Sequence, residues 1–168
     1  SMSGNCDYEK QLREACRLVA DTCGVSNWEL VYQSRSGPPQ QPWLEPDICD
    51  AIAAKDDSQK LESVIIVPIG FISDHMEVMF DLDEEAARLC QDRGIRMHRT
   101  RTAGIADGFV EMIRDLVQER MEGRPDRAAV GELGAWHDVC PENCCLYTPH
   151  RPPGTGGGRP AAGRPANV

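Results

Sequence analysis

Asp74, His75, Glu77, Asp81, Glu84 and Glu85 fall within twelve residues and form the densest set of chemistry-bearing side chains in the sequence. On a helical wheel Asp74, Glu77, Asp81, Glu84 and Glu85 share one arc of about 100°. Val78, Met79, Leu82, Ala86 and Leu89 occupy the adjoining arc and are expected to face a core. Carboxylates aligned roughly a turn apart can pass a hard cation along, or accept protons displaced from a ligand. The free N–H groups at the start of such a helix stabilise negative charge there. Taken alone, a row of acids is an ordinary solvated face, and a histidine beside an apolar arc is more often a packed residue than a ligand. The words around the row decide between these readings.

A second concentration lies at Cys140-Pro141-Glu142-Asn143-Cys144-Cys145. Three cysteines in six residues suit a thiolate-bound metal or an iron–sulfur site, against the plain alternative of exposed thiols. The other five cysteines, Cys6, Cys16, Cys23, Cys49 and Cys90, stand at helical positions and are expected to pack. No basic stretch followed by an apolar one opens the chain, so the eight cysteines read as thiols or metal ligands of a cytoplasmic protein rather than a disulfide framework.

The elements that must position these residues follow from periodicity and punctuation. A helix is predicted from Tyr8 to Cys23, with Tyr8, Leu12, Ala15, Val19 and Cys23 on one face and Gly24 ending it. Trp28 to Gln33 reads as a strand. Residues 34–43 are too rich in Pro and Gly for either element. A helix from about Asp47 to Ala54 leads to the strongest strand, Ser63 to Pro68. That strand empties through a glycine loop into the acidic helix, predicted from Ser73 or Asp74 to about Asp92. A strand from Ile95 to Arg99 and a helix from Ile105 to Arg120 complete the series, the latter with the stripe Phe109, Met112, Ile113, Leu116 and Val117. The alternation predicts an α/β, Rossmann-like three-layer domain with a small parallel sheet of three strands. Its acidic helix would open at the carboxyl end of the sheet, where such folds place ligands. Domain limits of 1–125, a cysteine-containing extension at 126–147 and a disordered Pro/Gly/Arg tail at 148–168 are expected.

Bulk properties narrow the function classes. At 168 residues with 40% apolar content, one domain with a real core is expected. A net charge of −9 argues against a nucleic-acid partner. No run approaches the roughly 18 apolar residues of a transmembrane helix.

Three stretches resemble the C-terminal domain of ferrochelatase. They are Pro68-Ile-Gly-Phe-Ile-Ser-Asp-His-Met-Glu-Val with Asp81-Leu82-Asp83; Tyr32-Gln-Ser-Arg-Ser-Gly-Pro38 continuing to Pro42-Trp-Leu-Glu-Pro46; and Ser1-Met2 followed by Tyr8-Glu9-x-Gln11-Leu12. The resemblance covers about residues 1 to 120 and keeps the family's order. It implies insertion of Fe(II), as substrate, into protoporphyrin IX or coproporphyrin III in haem biosynthesis. Glu77 would be the acid/base group facing the macrocycle, supported by His75 and Asp74. Asp81 and Glu85 would match an acidic trail for the metal, with Glu77 and Asp74 in the same metal-binding group. Trp43 would line the porphyrin cleft together with the Ser34–Arg35 segment.

The family's catalytic histidine and its N-terminal lobe stand before the segment that Ser1-Met2 resembles. The expectation is therefore a C-terminal half, inactive as an isolated fragment, whose partner is that lobe. Some ferrochelatases carry a [2Fe–2S] cluster with three ligands in a C-terminal extension. Cys140, Cys144 and Cys145 resemble that arrangement with a different spacing, and His137 or a second chain could complete the set. Two alternatives stand beside this reading: a non-catalytic metal or iron–sulfur binding module, and a small homodimeric chelatase of the cobalt or nickel type. The compartment expected is the cytoplasm, with at most peripheral contact with a membrane.

Overall fold

The computed structural model describes residues 6–35, 43–142 and 144. The tail expected at 148–168 lies outside them. Helix α1 spans Tyr8–Cys23 and α2 spans Ile48–Gln59. Strand β1 is Ser63–Ile66 and β2 is Arg96–Arg99. Between them runs one continuous helical stretch in three parts: α3 Met76–Val78, a π-helical segment Met79–Ala86, and α4 Ala87–Arg93. Helix α5 covers Asp107–Met121. The strands are parallel, in the register Ser63↔Arg96 to Ile66↔Arg99. A parallel pair requires a crossover, and the long helix supplies it.

The core lies on one side of this pair. Ile66 from β1, Ile48 and Ile52 from α2, Val78, Leu82, Ala86 and Cys90 from the crossover, and Ile95 before β2 are all buried. Val78, Leu82, Ala86 and Cys90 retain at most 1% exposure and recur every fourth residue. On a regular α-helix each step of four rotates the side chain by about 40° around the axis, so the line would spiral off the sheet. The π segment prevents this. The Ala87 N–H reaches back five residues to the Leu82 carbonyl, and a turn wider than four residues rotates in the opposite sense. The widened and ordinary turns offset each other, and the four apolar residues stay in one line.

The widening also corrects the wheel. Met79, expected on the core arc, is 46% exposed. The helix ends at Gly94 in the left-handed region, φ 71°. The N–H groups of Gly94 and Ile95 return to the carbonyls of Gln91 and Cys90, which turns the chain sharply into β2. Ile95 and Cys90 both lie in the core cluster, so the same turn is closed by apolar contact.

Three expectations fail. Trp28 to Gln33 joins no sheet, and among the described residues the sheet has two strands. The Tyr32 N–H donates to the Pro46 carbonyl and its own carbonyl accepts from Ile48, so both backbone groups are used at the entry to α2. Helix α5 forms, yet Met112, Ile113 and Val117 of its apolar stripe stay exposed, and its buried residue is Glu119. Nor does Cys23 pack; it is exposed.

The extension after α5 has no regular element through residue 142 and is held by charge. Glu119 accepts from the Ala128 N–H at 3.1 Å, and Asp138 pairs with Arg120 at 2.9 Å and with Arg127. Glu14 of α1 accepts from the Glu132 N–H at 2.7 Å while Arg17 holds the same carboxylate. Gly131, at φ +76°, lies against Glu14 so closely that a Cβ there would collide with its carboxylate.

Truncating Leu82 to Ala is expected to cost about 2–5 kcal/mol in urea unfolding, and Met79→Ala within about 0.5 kcal/mol. Comparable costs at the two positions would contradict the widened turn. A second outcome concerns pH. Hydrogen bonding from Arg17, and then from the Glu132 N–H, lowers the Glu14 carboxyl from 4.5 to about 2. A lowered acid stabilises the fold above its ordinary pKa and loses that contribution as pH falls through its folded value. The extension is therefore expected to detach from α1 between about pH 4.5 and 2, read as loss of exchange protection at the Glu132 amide.

Candidate metal-handling site

The site begins where β1 ends. Ile69 N–H donates to Val67 and Phe71 N–H to Pro68, tight turns that carry the chain across the carboxyl edge of the sheet. His75 takes an extended conformation at the cap position of the helix, and its carbonyl accepts from Met79 at 3.0 Å. Its exposed ring meets the ring of Phe71 edge-on, with centroids 5.1 Å apart. Glu77 follows in the first turn, exposed, and among the described residues no cation pairs with it.

Glu77, Asp81 and Glu85 stand one residue before Val78, Leu82 and Ala86 respectively. The three carboxylates therefore recur every fourth residue alongside the buried line. This row starts at a helix N-terminus and at the carboxyl edge of a parallel pair.

Asp81 is the anchored member. Ser34 Oγ donates to its carboxylate, and Gln33 Nε2 donates to the same oxygen at 3.3 Å. Ser34 sits at φ 62°, in the left-handed region a non-glycine residue adopts only under local constraint. The constraint is visible: the turn aims its hydroxyl at Asp81. A pocket of about 230 Å³ opens here, lined by Gln33, Ser34, Arg35, Asp47, Ile48, Cys49, Asp81 and Glu85. Of the expected residues, Ser34, Arg35, Asp81 and Glu85 meet in it. Trp43 is half-buried and does not line it.

Asp74, expected with the metal group, is occupied elsewhere. Arg99, at the end of β2, donates to Asp74 at 2.8 Å, to both oxygens of Asp83 at 2.6 and 2.8 Å, and to the Thr100 carbonyl at 3.1 Å. This guanidinium, 15% exposed, ties the loop and the helix to the sheet edge. The acids therefore divide into a pair bound by Arg99 and a row with no cation partner among the described residues.

The sequence places Arg99, Asp47 and Cys49 in their elements but does not single them out as residues of this site. Arg99 had one usable signal, a basic residue ending a strand that is otherwise half apolar. Asp47 caps α2 by accepting from the Cys49 N–H at 2.8 Å. Burial, followed by the nearby Asp47 and Glu85 charges, pushes the Cys49 thiol up to about 11. The carboxylates of Asp47, Asp81 and Glu85 line this pocket, and such oxygen donors suit a hard cation.

The cysteine segment forms a separate group. The donor atoms of His137, Cys140 and Cys144 all lie within 4.8 Å of one another. Cys145 is outside the described residues.

A parallel pair joined by a crossover helix that opens at the carboxyl edge of the sheet fits a chelatase-type α/β domain. The ferrochelatase family model matches residues 1–121, and the chain belongs to the ferrochelatase family. It is 69% identical over 159 residues to a ferrochelatase of Rhodopirellula baltica, covering 95% of this chain and 45% of that protein. It is 42% identical over 164 residues to a coproporphyrin III ferrochelatase of Streptomyces coelicolor, covering 92% of this chain and 44% of that one. A coproporphyrin III ferrochelatase of Tropheryma whipplei is 49% identical over 131 residues, covering 77% and 33%. The chain thus spans under half the length of these curated relatives.

Arg99→Met removes a charged clamp shared by two carboxylates and is expected to destabilise the domain by about 1–3 kcal/mol in urea unfolding. An unchanged midpoint would mean that Asp74 and Asp83 do not depend on it.

Proposed function

We propose that this chain supplies the acidic half of a ferrochelatase active site, which inserts Fe(II) into protoporphyrin IX or coproporphyrin III. The observation that carries the reading is the Glu77–Asp81–Glu85 row, which has no cation partner among the described residues and begins at the sheet edge. Insertion releases two protons: Fe(II) plus the free-base porphyrin gives the metalloporphyrin and two H⁺. A carboxylate beside the ring must accept them. Glu77, exposed at the helix start, takes that role, with His75 beside it. Asp81, oriented by Ser34 and Gln33, and Glu85 form the route by which a hydrated cation reaches Glu77, exchanging water for carboxylate oxygens. Arg35 and Trp43 contribute to the porphyrin surface, which the lobe found in longer relatives completes.

The reading keeps the cytoplasm as the compartment. No helix among the described residues is long and apolar enough to cross a membrane. The domain proper is taken as residues 1–125, with 126–147 as an appended segment whose cysteines hold a metal group, the two-iron cluster being one form of it.

Zinc insertion into a soluble porphyrin, followed by absorbance, tests the catalytic reading. The chain and its Glu77→Ala variant are assayed alone and mixed with the part of the Rhodopirellula baltica relative that the match leaves uncovered. Insertion is expected in the mixture, falling by about 10²- to 10⁴-fold in the variant. Equal rates for the two chains, or none in any mixture, would overturn it.

A further inference from the structure

We infer that His137, Cys140 and Cys144 form a site for a single tetrahedral divalent cation of borderline softness, zinc above all, with water in the fourth position, which closes the 137–144 turn of the extension. Three donors of the types zinc prefers converge, all within 4.8 Å of one another. Their spacing, His-x₂-Cys-x₃-Cys, lies within the range seen between paired ligands of structural zinc sites. A tetrahedron with bonds of about 2.0 to 2.3 Å has edges of about 3.3 to 3.8 Å, so the group needs little contraction to close on one ion. Ligands of a two-iron cluster divide between two metals and are held apart by the width of the cluster, so a tight trio is the poorer match.

The local chain is built to hold this group. The Cys144 N–H donates to the Pro141 carbonyl at 3.0 Å, a turn that returns Cys144 toward Cys140. His137 is fixed from both sides. The Trp136 ring packs against it with centroids 4.7 Å apart, and Asp138 is held by Arg120 of α5 and by Arg127. A segment without helix or strand gains order from such a crosslink, and binding free energy at a structural zinc becomes folding free energy. Loading releases the two thiol protons to solvent as the thiolates bind. The site shares no residue with the carboxylate row, and its soft donors contrast with the oxygens there. It stands whether or not that row serves a porphyrin.

The test uses the full 168-residue chain, stripped with chelator under anaerobic reducing conditions and titrated with Co(II). An equimolar amount is expected to give the intense visible absorption of tetrahedral cobalt together with thiolate-to-cobalt charge transfer, both erased by zinc. His137→Ala, Cys140→Ser and Cys144→Ser are each expected to weaken binding at least about tenfold, with far-ultraviolet circular dichroism retained. Exchange protection at the Cys144 amide, which bonds the Pro141 carbonyl inside the turn, is expected to rise on zinc loading. An unchanged cobalt spectrum in His137→Ala, or only the pale spectrum of octahedral cobalt, would overturn the assignment. So would an iron–sulfur spectrum, after reconstitution with iron and sulfide, that requires Cys145 and ignores His137.

Discussion

The line Val78–Leu82–Ala86–Cys90 against Ile66, Ile48 and Ile52 is the contact on which the described structure turns. It joins the crossover helix to β1 and α2 and buries the largest fully enclosed side chains. Keeping that line straight requires the helix to depart from ideal geometry over eight residues. Such departures are uncommon because the wider turn packs its own backbone less well. Here burial of four side chains in register offsets the local cost, and the acidic row keeps the same four-residue spacing alongside the buried one. The chemistry and the core are consequently two faces of one packing solution.

Charge is organised with the same economy. Most acids near cations are committed to them: Asp56 and Asp57 to Arg93, Asp74 and Asp83 to Arg99, Glu14 and Asp21 to Arg17. Glu77 and Glu85 have no cation partner among the described residues, and Asp81 receives neutral donors only. Other acids, Asp50, Glu62 and Asp92 among them, also stand without an ion pair among the described residues, so the row is set apart by its place beside the pocket rather than by its lack of partners. A cation entering that pocket meets the carboxylates of Asp47, Asp81 and Glu85 together with the Arg35 guanidinium.

Much of this is legible in the sequence. α1 runs as expected from its apolar spacing and Gly24, and β1, β2 and the acidic helix fall within a few residues of their predicted limits. The motifs around Glu77 pointed to the family that the comparisons show. What escaped was non-local. The strand at 28–33 has the right residues but no sheet edge to join, because Tyr32 is engaged by Pro46 and Ile48. The assumed α-helical wheel put Met79 inward, although an apolar residue every fourth position from Val78 to Cys90 was itself a sign of a wider turn. The clamp of Arg99 joins residues 16 and 25 positions apart, beyond what local patterning conveys.

The way α1 grips the extension has a consequence for how the sequence can change. Glu14 holds residue 132 by its backbone N–H, a group every residue but proline carries. The hydrogen bond itself does not read the side chain at 132, although the Glu132 carboxylate adds an approach of 4.0 Å to Arg17. The more constrained position is the neighbour, since Gly131 holds φ +76° and a Cβ there would meet the Glu14 carboxylate. A contact that reads the main chain lets the extension vary in composition while keeping its path, and a new ligand set could be tried there without disturbing the domain beneath.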